Sequence, residues 1–159
     1  MLLPEELRKQ CQSKRLRRSG PGGQHRNKVE TAVVLVHGPT GVTAEANERS
    51  SQSQNAAQAM HRLRVRLAVE VRTPAEELSE RWRQRSAAGS LQVSDKHQDF
   101  PSLLAEALNH LAAEDWDDRQ AAERLGVSRT SFIRFLRKEP AAIQQLNEAR
   151  TAKGLGPMR

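Results

Sequence analysis

The residues with the clearest potential for chemistry are the glycine-rich run Gly20–Gln24 (GPGGQ). Glycine-rich segments bind phosphate groups, because backbone N–H groups reach an anion where side chains are absent. A nucleotide-binding P-loop, however, continues into Gly-Lys-Ser/Thr and a helix, and a dinucleotide-binding loop also opens a helix. Here the β-branched run Val29–Val36 follows, which predicts a strand. The run therefore matches neither nucleotide site, and its glycines and proline predict a loop over residues 12–28.

Basic residues are concentrated around this loop. The 159 residues include 26 Lys and Arg and 19 Asp and Glu, a net charge of +7, and residues 1–90 hold 16 of the basic and 9 of the acidic ones. Between Arg8 and Lys28 there are eight basic residues and no acidic one. Because like charges repel, this run favours a polyanion partner, above all nucleic acid, over an ordinary solvated surface. All aromatic residues come after position 81, so contacts to phosphates rather than stacking on bases are expected.

The sequence around the glycines resembles one family. The run Arg18–Lys28 (RSGPGGQHRNK) is similar to the GGQ loop of class I peptide-chain release factors and of their ribosome-rescue relatives. The segment His37–Gly41 (HGPTG) resembles a turn of that family, and Glu48–Asn55 (ERSSQSQN) resembles the start of its long helix. The resemblance covers residues 13–72, with its parts in the family's order.

This resemblance implies a peptidyl-tRNA hydrolase, which cleaves the ester between a nascent peptide and the tRNA 3′ adenosine in the ribosomal peptidyl-transferase centre. Gly22, Gly23 and Gln24 are then the catalytic residues. The glycines let the loop pass between rRNA walls, and the backbone N–H of Gln24 donates to the developing negative charge or to the leaving 3′ oxygen, while its side chain positions water. By analogy with other oxyanion donors, one such contact is worth about 3 kcal/mol. The resemblance implies neither a metal nor a cofactor, and His25 is not expected to act as a general base.

The resemblance also implies contacts to RNA. The expected rRNA- or tRNA-binding residues are Arg17, Arg18, Arg26, Asn27 and Lys28, most of which carry charges that suit phosphate contacts. Few residues precede the matched stretch, so we expect no codon-recognition domain and a codon-independent release activity that rescues stalled ribosomes. The expected partner is the ribosome, through large-subunit rRNA and peptidyl-tRNA, and the protein is expected to be a monomer.

Two further features bound the class of protein. The single cysteine, Cys11, excludes a disulfide framework and a zinc site built on paired cysteines. No apolar run is long enough to span a membrane, and the first residues lack the apolar stretch of a signal peptide. We therefore expect a cytoplasmic protein that does not contact membranes.

Two strands and a long helix are expected to carry the loop. The run Val29–Val36 and residues 42–46 predict a hairpin around a Pro/Gly turn. Apolar residues at helical spacing over 51–71 predict a helix that covers this hairpin. Together these elements form a predicted GGQ domain over residues 1–90, and the polar residues 91–101 after it predict a linker.

The rest of the chain is predicted to be helical. Periodicity and capping residues indicate a module over residues 102–151, followed by a flexible tail over residues 152–159. Residues 118–138 resemble a helix-turn-helix. Four basic residues of its second helix are possible contacts to the ribosome or to nucleic acid: Arg129, Arg134, Arg137 and Lys138.

Three interpretations of this module stay open: a DNA-binding helix-turn-helix, a small bundle that buries Leu125, Phe132, Ile133 and Leu136, or a module that docks on the small ribosomal subunit. The predicted fold class is α+β, a small sheet with one long packed helix, as in a release-factor GGQ domain, followed by the helical module. The leading function is peptidyl-tRNA hydrolysis on the ribosome. The alternative is a non-enzymatic, nucleic-acid-binding helix-turn-helix protein.

Overall fold

The computed structural model describes residues 4–16 and 31–158, and its fold is α+β, as the sequence predicts. The described elements, in chain order, are α1 (Pro4–Lys9), β1 (Cys11–Leu16), β2 (Ala32–His37), β3 (Thr43–Ala46), α2 (Gln52–Glu70), α3 (Glu80–Arg85), β4 (Ser86–Ala87), β5 (Ser90–Leu91), α4 (Phe100–Ala113), α5 (Asp118–Arg124), α6 (Arg129–Leu136) and α7 (Pro140–Ala152). They fall into two compact units, Met1–Leu67 and Ala68–Arg159.

The first unit contains an antiparallel sheet in the strand order β1-β2-β3. The predicted hairpin of β2 and β3 is confirmed, and Gly41 in its turn has a φ of +73°, which a residue with a side chain adopts rarely. The predicted loop over residues 12–28 is wrong for residues 12–16, which belong to β1 and pair with β2. The side chains of residues 12–14 are exposed on this edge strand, so the alternating apolar pattern by which a strand is recognised is missing.

The helix α2 confirms the prediction over residues 51–71. Its side chains Ala59, Met60, Leu63 and Leu67 are buried, and their spacing places them on one face of the helix. The unit's other buried apolar side chains include, from the sheet, Val33, Leu35, Ala44 and Ala46. A long helix therefore covers a small sheet, which is the architecture that the sequence predicts.

Two arginines of α2 protect the free edge of this sheet. The backbone N–H of His37 donates to the carbonyl of Val42, so alternate residues of β3 point toward β2 and the carbonyls of Thr43 and Glu45 point away from it. Arg66 donates to the Thr43 carbonyl, and Arg62 donates to the Glu45 carbonyl at 2.7 Å. These bonds occupy acceptors with which another strand could otherwise pair.

The second unit has an aromatic core. Trp82, Phe100, Phe132 and Phe135 are buried, and the Phe135 ring lies 6.1 Å from the Trp82 ring and 5.4 Å from the Phe100 ring, edge to face in both cases. The Nε1–H of Trp82 donates to the backbone carbonyl of Leu125 at 2.8 Å. The indole therefore fills the core and also satisfies its polar atom there.

The segment predicted as a linker, residues 91–101, contributes to this second unit. Leu91, Val93 and Phe100 are buried, and the backbone N–H of Leu91 donates to the Ser131 hydroxyl of α6 at 2.8 Å. Most residues of the segment are polar, so its composition indicates a linker, whereas three spaced apolar side chains anchor it. The compact units accordingly divide the chain at Leu67, and not near residue 90.

The residues predicted as a flexible tail also make contacts within the second unit. The Arg150 guanidinium donates to the backbone carbonyl of Gly156 at 2.9 Å. The backbone N–H of Met158 donates to the side-chain carbonyl of Asn147 at 2.7 Å. Both partners lie on α7, so the tail turns back along the helix that precedes it.

Candidate functional site

The predicted catalytic residues Gly22, Gly23 and Gln24 and the predicted RNA-binding residues Arg17, Arg18, Arg26, Asn27 and Lys28 lie outside the described residues. The structure does describe both ends of the segment that contains them. Leu16 ends β1 and is paired with Ala32, which begins β2. Because the Cα atoms of paired residues lie about 5 Å apart, the last pair of this ladder holds the two ends of the connection side by side.

A buried amide holds one of these ends. Asn55, in the first turn of α2, is fully buried, and its Nδ2 donates to the backbone carbonyl of Thr31 at 2.7 Å and to that of Arg49 at 2.9 Å. Its Oδ1 accepts from the backbone N–H of Arg49 at 3.0 Å. Thr31 directly precedes β2, so one side chain joins the base of the GGQ connection to the turn before α2.

Asn55 is not among the site residues that the sequence predicts. The resemblance over Glu48–Asn55 marks its surroundings, and a helix start with a polar residue in the first turn is the local signal that was present. The bond to Thr31, however, joins residues 24 positions apart. That pairing is visible only once the helix lies on the sheet.

The opposite end of β2 is held by a second polar cluster. His37 is buried, and hydrogen bonds join its Nδ1 to the Thr40 hydroxyl at 2.7 Å and its Nε2 to the Gln10 side-chain carbonyl at 2.9 Å. The backbone N–H of Gly38 donates to the Gln10 carbonyl at 2.9 Å. A Cβ on Gly38 would lie only 3.3 Å from the backbone oxygen of Gln10, a tight contact, so this close approach favours glycine. The predicted turn thus locks β1 to β2 at the end away from the GGQ connection.

Basic residues in the described part of the first unit differ in their surroundings. Arg62 lies 2.5 Å from the carboxylate of Glu48, and the hydrogen bond from Arg62 lowers the pKa of that carboxyl. Arg8, Lys9 and Lys14, in contrast, are exposed and make no ion pair with any described residue. The positive charge that a polyanion could meet therefore includes α1 and β1, the elements that lead into residue 17.

In the second unit, α5 and α6 form a helix-turn-helix with capped helices. The Asp117 carboxylate accepts from the backbone N–H groups of Arg119 and Gln120, at 2.9 and 3.1 Å, at the start of α5. These bonds, that from Gln120 foremost, lower the pKa of Asp117. The Ser128 hydroxyl accepts from the backbone N–H of Ser131 and caps α6 in the same way.

Arg129, one of the four predicted basic contacts, is bound by a buried carboxylate. Asp118 is only 3% exposed. It accepts hydrogen bonds from Arg129 in α6 and from Arg150 in α7, the latter at 3.1 Å. The Arg129 charge is therefore compensated inside the unit. The Asp118 carboxylate joins α5, α6 and α7 through these two bonds.

The other three predicted contacts also differ in their surroundings, and the structure ends α6 at Leu136, before Arg137 and Lys138. Lys138 donates to the backbone carbonyl of Val93. Arg134 and Arg137 are exposed and make no hydrogen bond with any described residue through their side chains. The exposed basic surface is therefore small, with one arginine in α6 and one directly after its end.

The described residues contain neither a candidate membrane span nor a candidate metal site. No helix within them is both long and apolar enough to cross a membrane. Among these same residues there is no group of three or more His, Cys, Asp and Glu side chains placed to bind a metal ion, and Cys11 is a free thiol whose pKa is raised by burial.

A GGQ tripeptide between two paired strands, with a long helix across the sheet, defines a release-factor type of α+β domain. The chain matches the family model of the RF-1 domain over residues 5–101, and it belongs to that family. Residues 102–159, which include α5, α6 and α7, fall outside the match.

Curated relatives are similar to this protein over part of its chain. Peptide chain release factor 1 of Nitrosomonas europaea is 40% identical over 80 residues, which are 50% of this chain and 22% of that protein. Peptide chain release factor 1 of Acidiphilium cryptum is 49% identical over 59 residues, which are 37% of this chain and 17% of that protein. The chain thus spans about a fifth of the length of these relatives.

Proposed function

We propose that this protein hydrolyses the peptidyl-tRNA ester in the ribosomal peptidyl-transferase centre, with Gly22, Gly23 and Gln24 as the catalytic residues. The observation that carries the proposal is the place of this tripeptide within an RF-1 domain, in the connection between β1 and β2. The matched relatives are named peptide chain release factors, which supports the same activity.

In the proposed reaction the main role of the protein is to place a hydrogen-bond donor at the reacting ester. Water attacks the ester carbonyl carbon, the bond to the 3′ oxygen breaks, and the leaving oxygen takes up a proton. Negative charge develops first on the carbonyl oxygen and then on the 3′ oxygen, where the backbone N–H of Gln24 donates. A preorganised donor stabilises such a transition state by about 3 kcal/mol. The pairing of Leu16 with Ala32 and the bond from Asn55 to Thr31 hold both ends of the connection, which supports such preorganisation.

Phosphate contacts complete the proposed site. We assign contacts with rRNA or tRNA to Arg17, Arg18, Arg26, Asn27 and Lys28. The exposed Lys14 of β1 supports this assignment, because it extends the same acid-free run toward the sheet. Such contacts fix orientation on an RNA surface without reading its sequence.

Two finer statements belong to the same proposal. Release does not depend on a stop codon, and the substrate is a stalled ribosome in the cytoplasm, met by a monomer of this protein. The resemblance of residues 13–72 to ribosome-rescue relatives, as well as to release factors, supports the codon independence and the choice of substrate. Ribosome complexes with an empty mRNA channel, compared with complexes that carry a stop or a sense codon in the A site, separate this activity from codon-directed termination.

Exposed arginines in the second unit suit either a contact with the ribosome or the alternative function, DNA binding. Arg134 in α6 and Arg137 directly after this helix are exposed. Arg129 begins the same helix, and Lys138 follows Arg137. We propose that this surface contacts the ribosome. A non-enzymatic DNA-binding protein would instead use it in a groove of the duplex, bind a preferred DNA sequence and ignore ribosomes.

The deciding experiment is peptide release from ribosome-bound peptidyl-tRNA by the full chain. We expect the wild-type protein to release peptide. Gln24→Ala removes the side chain that positions water, and the methyl group added in Gly23→Ala displaces the backbone N–H of Gln24, so each should lose at least about a hundredfold in rate. The matched control is His25→Ala in the same segment, which should retain release. Wild-type rates in the Gly23→Ala variant, or sequence-specific DNA binding without ribosome binding, would contradict the proposal.

A further inference from the structure

We propose that Asn55 is a positioning residue for this hydrolysis: its side-chain amide, by holding the Thr31 carbonyl, sets the direction in which the GGQ connection leaves the sheet. The inference rests on the proposed function for its link to the reaction. Its structural part, the fixing of the strand end, rests on described residues alone.

The geometry of the sheet explains why this carbonyl needs a partner. Alternate residues of β2 point toward β3, among them Val33 and His37, and by the same alternation the Thr31 carbonyl faces the β3 side. β3 has already ended at Ala46, the partner of Val33. The Nδ2 of Asn55 therefore stands where the next N–H of β3 would have been and extends the ladder by one bond.

The burial of Asn55 makes that bond stiff. The side chain is fully buried, both N–H groups of its amide are used, and its oxygen accepts from Arg49. Rotation of the amide would leave buried donors and acceptors without partners, which is costly. The first residue beyond the connection is thus fixed to a helix that itself is held on the sheet by Arg62 and Arg66.

A merely structural role predicts a different response to mutation. The bonds to Arg49 serve the turn before α2, whereas the bond to Thr31 serves the base of the connection. If Asn55 only stabilises the unit, its replacement should affect release no more than another destabilising change in α2. If it positions the loop, the maximal release rate should fall, because a displacement of about 1 Å at the reacting groups costs about 100-fold.

The test compares three variants of the full chain, at a temperature at which each is folded. Asn55→Ala removes all the bonds of the amide. Asn55→Asp keeps the shape and the acceptor for Arg49 but removes both donors. Leu63→Ala is the control, because Leu63 is equally buried on the same helix two turns further on, and no side-chain hydrogen bond ties it to Thr31.

We expect Asn55→Ala and Asn55→Asp to lower the release rate at saturating protein by about 10- to 100-fold. The protein concentration for half-maximal release should hardly change, since the basic contacts remain. Leu63→Ala should keep its maximal rate within about twofold once folded. At lower pH the carboxyl of the Asn55→Asp variant is protonated and again carries a donor, so its rate relative to the wild type should rise, and that of Asn55→Ala should not.

A second readout separates the two proposals. Hydrogen exchange of the backbone amides of residues 31–33 should be faster in Asn55→Ala than in Leu63→Ala at equal overall stability. If the wild type releases peptide and both Asn55 variants match Leu63→Ala, the positioning role is wrong and the proposed function stands. If the wild type releases no peptide, the proposed function and the link to the reaction both fail, and exchange alone decides whether Asn55 holds the strand end.

Discussion

A small change at the buried carboxylate of Asp118 should weaken the second unit. It is 3% exposed and accepts from Arg129 and Arg150, whose side chains are 39% and 17% exposed. The substitution Asp118→Asn keeps the shape of the side chain. It removes the negative charge and turns one accepting oxygen into an N–H donor that faces a guanidinium.

The expected cost follows from this burial. Removing one partner from a buried ion pair costs about 3–5 kcal/mol. Water reaches Arg129, and the asparagine oxygen still accepts one bond, so the lower end, about 3 kcal/mol, applies here. A domain of this size loses at least about 4 °C of Tm for each kcal/mol, so Tm should fall by at least about 12 °C.

Tryptophan fluorescence is the suitable assay, because Trp82 and Trp116, the two tryptophans of the chain, both lie in the second unit. The control is Asp115→Asn. The Asp115 carboxylate also pairs with a cation, Lys153 at 2.7 Å, but its side chain is 88% exposed, and exposed pairs contribute less than about 1 kcal/mol. Equal losses for Asp118→Asn and Asp115→Asn in urea unfolding would refute the assignment of a buried ion-paired carboxylate.

Two further predictions concern the second unit. Arg134→Ala and Arg137→Ala should each raise the protein concentration needed for half-maximal release without changing the rate at saturation. Arg83 is another exposed arginine of the unit, and Arg83→Ala should change neither quantity. Equal effects of all three substitutions would argue against a specific contact. The native pKa of Asp117 lies below its ordinary value of 3.8, so its ionised cap stabilises the fold at neutral pH, and this contribution is lost as pH falls through the native pKa. The difference in free energy of unfolding between the wild type and Asp117→Asn should therefore change on acidification below 3.8, and a pH-independent difference measured by urea unfolding would contradict it.

Much of the fold and the candidate site follows from local sequence. The spacing of Ala59, Leu63 and Leu67 predicts α2, and the turn at residues 37–41 predicts the hairpin before it, because periodicity and turn chemistry are properties of neighbouring residues. The GGQ run and its basic neighbours likewise indicate a function from a short stretch. Residues 17–28 lie outside the described part of the chain, so their roles stay predictions.

Only the tertiary structure decided which polar residues hold the fold together and which remain at the surface. The sequence shows that Arg62, Arg66, Arg129 and Lys138 are charged. It does not show that they bind carbonyls or a carboxylate on other elements, as the folded chain has them. The polar strand β1, the buried anchors of residues 91–101 and the bond from Asn55 to Thr31 escaped prediction for the same reason. A hydrogen bond or a buried contact between distant residues depends on where the chain brings them, and neither residue type nor local spacing contains that information.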